Sequence, residues 1–85
     1  MTLAKNWTRY NRDHGQWLLT AATGTASVPN WAWIRPAVGI KGWELLVWEK
    51  RGSEAWGFET HAVLPTLRAA KSIGRMRAAA SMQNF

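Results

Sequence analysis

Every stretch of this chain that reads as a strand carries tryptophan, and then tryptophan stops. Seven occur in 85 residues, at positions 7, 17, 31, 33, 43, 48 and 56. Beyond them, the last 22 residues, Leu64 to Phe85, hold four basic side chains (Arg68, Lys71, Arg75, Arg77) and no acid. The pattern predicts an α+β chain: an antiparallel β-sheet of three to five strands, packed on one face by a C-terminal α-helix.

A chain of 85 residues buries only a little over ~60% of its unfolded surface and supports one core. A single domain spanning 1–85 is expected, with a sheet region at about 5–63, a helix at about 66–80 and a frayed tail at 81–85. There is no cysteine, so disulfides and thiolate metal sites are excluded and a reducing cytoplasm is the natural compartment. Two histidines without cysteine do not make a structural zinc site. Cohesion must come from apolar burial instead. Tryptophan suits that need, because each ring buries about 150–250 Å² on a side chain with few rotors. The N-terminus lacks a charged, then apolar, then small pattern, and the uncharged stretch after Gln16 is broken by Thr20, Gly24 and Pro29. Neither a secretory signal nor a transmembrane segment is expected.

Residues 5–12 alternate aromatic and polar side chains before Asp13-His14-Gly15, which reads as a hairpin turn into a strand at Gln16 to Ala22. A short helix over 2–12, capped by Thr2, is the competing reading. Thr23 to Asn30 is a Gly/Ser/Thr/Pro loop. In Trp31-Ala32-Trp33-Ile34-Arg35, the period of two puts both tryptophans on one face, and Pro36 ends the strand. Gly39 and Gly42 bracket a turn. Trp43 to Lys50 is apolar on both faces near its middle and reads as a central strand. Arg51 to Glu54 is a tight connection, and Ala55 to Val63 pairs back. Pro65 and Thr66 then open the helix, the threonine as cap. Small residues Ala70 and Gly74 let it lie close to the sheet. Arg68, Lys71 and Arg75 fall within about 60° of arc, while Arg77 lies in the apolar sector, which suggests that the helix frays or leaves the core near there.

Net charge is +6, with the excess at the two ends of the chain. A helical face selected for solubility alone mixes both signs; this one carries cations only. Arg68, Lys71, Arg75 and Arg77 are therefore the candidate phosphate contacts, with Arg35 and Lys41, and also Arg9 and Arg12, as secondary ones. Trp17, Trp43 and Trp48 have aliphatic neighbours and are expected in the core. Trp31 and Trp33, beside Arg35, are the candidates for stacking on bases or on a partner. His14 and His61 lack a nucleophile or metal alongside, and Glu59 with His61 does not make a catalytic pair. No phosphate loop or nucleophile turn is present. No enzyme activity, cofactor or metal is expected.

The run Trp56-Gly57-Phe58-Glu59-Thr60, with Thr66-Leu67-Arg68-Ala69-Ala70-Lys71, resembles the last-strand-to-helix junction of AP2 domains and of phage integrase arm-binding domains. That resemblance covers about a quarter of the chain and implies DNA binding in which the sheet enters the major groove. Few basic residues occupy the middle strands here, and His61 to Pro65 is an insertion against the AP2 pattern. The chain also looks like the short tryptophan-rich accessory proteins of bacteriophages. The leading expectation is a small basic nucleic-acid-binding module, for DNA or RNA. The alternative is a phage-encoded inhibitor or adaptor that docks a patch around Trp31, Trp33 and Ile34 on a host protein. Membrane binding through the helix is a weaker third reading, because Ile73 and Met76 offer little to insert.

Overall fold

The strands run up and down in sequence order, each antiparallel to its neighbour, and one helix closes the chain. The computed structural model describes residues 2–10, 15–23, 30–52 and 55–84. They form β1 (Thr2–Leu3), β2 (Thr8–Tyr10), β3 (Gln16–Thr23), β4 (Asn30–Pro36), β5 (Trp43–Arg51), β6 (Ala55–Leu64) and α1 (Leu67–Met82). The lateral order is β1-β3-β4-β5-β6, with β2 also paired to β3.

The strand count exceeds the expected three to five because the first strand is broken. Thr2 and Leu3 lie opposite Thr23 and Ala21, while Thr8 to Tyr10 lie opposite Leu18 to Gln16. The Ala4 N–H still donates to the Thr20 carbonyl at 2.8 Å, but Lys5, Asn6 and Trp7 leave the ladder. Residues 2–10 are thus one interrupted edge strand rather than the helix capped by Thr2. Six strands occupy five lateral positions. Gly15, which the sequence puts in the hairpin turn, has φ +60°; Asp13 and His14 lie outside the described residues, as does most of the loop predicted at 23–30.

Register assigns the faces. Leu19, Ala32 and Val47 are in line, as are Trp17, Ile34 and Leu45, and Leu45 touches α1 at Gly74. Leu19, Ala32, Ile34, Leu45 and Val47 are fully buried on this helix-covered face. The reverse face carries Trp33, Trp48 and Phe58, with edge-to-face ring contacts of 6.0 Å for Trp33–Phe58 and 5.2 Å for Trp48–Phe58. As its pattern predicts, β5 is interior, with Leu45, Leu46 and Val47 all buried.

Thr66 caps α1 as expected: its Oγ1 accepts the Ala69 N–H at 3.1 Å. Pro65 sits one residue before the cap rather than in the first turn. The buried stripe is Ala70, Gly74, Ala78 and Ser81, spaced by one turn each and free of bulky side chains. A Cβ at Gly74 would lie 2.9 Å from both Leu45 Cδ1 and Trp7 Cη2. Helix and sheet are therefore in direct contact there. The helix runs two residues past 80, to Met82. Ser81 Oγ donates to the Trp48 carbonyl at 2.6 Å, which secures the last turn, and Arg77 leans out to Glu49 at 3.2 Å.

Gly74→Leu is expected to lower unfolding stability by about 2–3 kcal/mol despite its better helix propensity, because the added side chain must push Leu45 and Trp7 out of their contact with the helix. Urea denaturation followed by tryptophan fluorescence measures the loss, with exposed Met76→Leu as a control that stays within about 0.5 kcal/mol of the parent.

Candidate nucleic-acid interface

Where the first strand breaks, its detour meets the middle of the helix. Lys5, Asn6 and Trp7 on one side and Lys71, Ser72 and Arg75 on the other line an open recess of about 510 Å³. Trp7 is drawn in by the flat surface that Gly74 leaves. Arg75 closes the junction: its Nη1 and Nη2 donate to the carbonyls of Ala4 and Lys5 at 2.9 and 2.8 Å. Those carbonyls had lost their ladder partners, so the guanidinium satisfies backbone groups that the detour would otherwise leave open. Both acceptors are neutral, and the charge on Arg75 is not cancelled.

Lys71 lies one turn back, with Nζ 3.6 Å from the centre of the Trp17 ring. Arg9 approaches the same ring at 5.7 Å from across the β2–β3 ladder. The cation–π contacts hold both side chains in place while leaving their charge intact. Arg68 is exposed in the first turn. The predicted stripe of Arg68, Lys71 and Arg75 therefore stands along one side of the helix, over the β1/β2 edge. The ion pairs Arg35–Glu44 and Arg77–Glu49 involve none of the three, nor Lys5.

Other predicted contacts are placed differently. Arg77 is tied to Glu49, away from the recess. Arg35 Nε donates to Glu44 Oε1 at 2.6 Å, and its guanidinium covers the Trp33 ring at 4.7 Å. Lys41 is exposed on the β4–β5 turn at one end of the sheet. Arg12 lies outside the described residues. Trp31 cannot stack on a ligand, because it is fully buried. The pairing passes from Leu19 opposite Ala32 to Thr20 opposite Asn30, so Trp31 is the extra residue of a bulge. Bulges re-aim side chains, and this one packs Trp31 edge-on against Trp56 at 6.2 Å.

Trp33 is half-buried, its Nε1 donating to Gln16 Oε1 at 3.0 Å. Ile34 is also fully buried, so the patch expected around Trp31, Trp33 and Ile34 is not continuous at the surface. Trp17, Trp43 and Trp48 pack on the core from its margin, each half-buried. His61 is exposed at the residue β6 inserts between the partners of Leu45 and Leu46. Among the described residues, no cluster of three or more His, Asp or Glu side chains is arranged to hold a metal, and no helix is long and apolar enough to cross a membrane.

The Arg35 hydrogen bond, then the Thr60 hydroxyl at 2.7 Å, hold the Glu44 carboxyl below the usual carboxylate range. A depressed native value adds stability above the unfolded pKa of about 4.3 and loses it as pH falls through the folded value. Glu44→Gln should cost about 0.5–1 kcal/mol at neutral pH and flatten the decline in stability below about pH 4.3; acid titration of the circular dichroism signal checks both. No family model, curated protein or solved structure matches the chain.

Proposed function

We propose that the chain binds nucleic acid through the recess between residues 5–7 and the helix, with Lys5, Lys71 and Arg75 contacting phosphates and Arg68 and Arg9 extending the track. The observation that carries this reading is a set of cations gathered on one side of the fold and held by neutral partners: backbone carbonyls for Arg75 and an indole for Lys71. Phosphates can replace water around such groups without first breaking an ion pair. From Arg68 to Arg75 the helix rises about 10 Å, comparable with several nucleotides at about 3.4 Å each. Asn6 and Ser72 add neutral hydrogen-bonding groups within the recess. Trp7 and Trp17, rather than Trp31, are the rings beside the charges.

Fluorescence anisotropy with labelled single-stranded and duplex oligonucleotides tests the assignment. Affinity should fall linearly with log salt, and Lys5→Ala with Arg68→Ala should reduce the slope by about 0.7–0.9 per charge removed. Lys50→Ala, exposed at the far end of β5, should leave affinity unchanged. Salt-insensitive binding, or equal losses for Lys50 and Arg68, would sink the assignment. Arg75→Ala is a poorer probe, because it also removes the ties to Ala4 and Lys5.

A further inference from the structure

The β4–β5 turn, residues 37–42, carries its apolar side chains outward. Val38 is 96% exposed and Ile40 61% exposed. The turn is tightly closed: the Ala37 N–H donates to the Gly42 carbonyl at 3.0 Å, and Gly39 and Gly42 have φ of +82° and +135°. At Gly42 a side chain would strike the Leu64 carbonyl at 2.7 Å, so the turn is seated against the end of β6. Val38 and Ile40 therefore stand on a braced protrusion.

Their surroundings are not random. Pro36, Trp43 and Leu64 are in register, and Tyr10 with Gln16 ends the neighbouring ladder on the same side. This is also the pole at which α1 begins. Of the five exposed large hydrophobics among the described residues, Tyr10, Val38, Ile40 and Val63 lie here and Met76 lies elsewhere. Lys41, next in sequence to Ile40, is exposed, and Arg35 lines a shallow recess with Val38, Ile40 and Val63. Among the described residues the carboxylate at this pole is Glu44, already engaged by Arg35 and Thr60.

The layering indicates the occupant. Two aliphatic side chains form the apex, a lysine follows directly, and Tyr10 and Trp43 come behind at the level of the strand ends. A bilayer leaflet presents the same order from inside outward: hydrocarbon, the interface favoured by Tyr and Trp, and anionic head groups. We propose that the turn inserts Val38 and Ile40 into an anionic lipid surface, with Lys41 on its phosphates. Two weak signals of this kind, apolar and basic, act together in reversible membrane attachment.

The test is cosedimentation of the full chain with phosphatidylcholine vesicles, with and without phosphatidylserine. Wild type should pellet with the serine-containing vesicles and be released by salt. Val38→Ser with Ile40→Ser should weaken that binding by about tenfold or more, without altering thermal unfolding or oligonucleotide affinity. Wild type left in the supernatant with both vesicle types overturns the proposal, as does a double variant that binds like wild type. Concentration-dependent self-association that the double variant abolishes, with no vesicle binding, overturns it in favour of a second copy of the chain. The vesicle and oligonucleotide results are independent, so failure of one leaves the other interpretable.

Discussion

The contact between Gly74 and the pair Leu45 and Trp7 is the constraint on which the rest is built. A helix whose inner stripe is Ala70, Gly74, Ala78 and Ser81 can settle on the sheet without a layer of long side chains between them. That closeness brings Arg75 within reach of the Ala4 and Lys5 carbonyls and Lys71 onto Trp17. A bulkier stripe would lift the helix and separate both pairs. The recess is thus a consequence of packing: it exists because a glycine in the helix accepts an indole from the interrupted strand.

A small sheet covered on one side must do something with its other side. Here the reverse face is filled with rings that pack on one another, Trp33 and Trp48 both meeting Phe58, while the helix-covered face centres on the aliphatic Leu19, Ile34, Leu45 and Val47, with Trp7 and Trp17 beside the helix. Charge is segregated as well. Glu44 and Glu49 are spent on Arg35 and Arg77, leaving the cations of the β1/β2 side with neutral partners. Fields from such one-signed regions steer anions over distances comparable with the Debye length.

Architecture was legible in the sequence because it follows from local chemistry. Alternation around Trp17, the doubly apolar run at Leu45 to Val47, the glycines bracketing residues 39–42 and the Thr66 cap each specify an element without reference to the rest. The broken first strand and the Trp31 bulge were not legible, since both depend on register with β3, and a period of two continues through a bulge in sequence even when it fails in space. The same limit applied to the site. Arg68, Lys71 and Arg75 could be grouped from helical spacing alone. Lys5, Asn6 and Trp7 lie some 70 residues earlier in the chain and join them only through the fold. Arg77 was misread for a related reason: its position on the wheel faces the sheet, but a long side chain near the sheet margin can reach Glu49 without entering the core.

The nature of each partner, more than its presence, separates the candidate cations. Arg35 and Arg77 donate to carboxylates, and a ligand phosphate would have to compete with a charge already in place. Arg75 donates to two carbonyls, which fix its guanidinium and still leave N–H groups unused. Lys71 rests on a ring that attracts its charge without neutralising it. Both side chains have already lost much of the rotamer freedom that an exposed lysine or arginine would lose on binding, about 2 kcal/mol each when fully restricted. Preorganised and uncancelled charge is what an anion site requires. In this chain the two conditions coincide on the side of the helix that faces the broken strand.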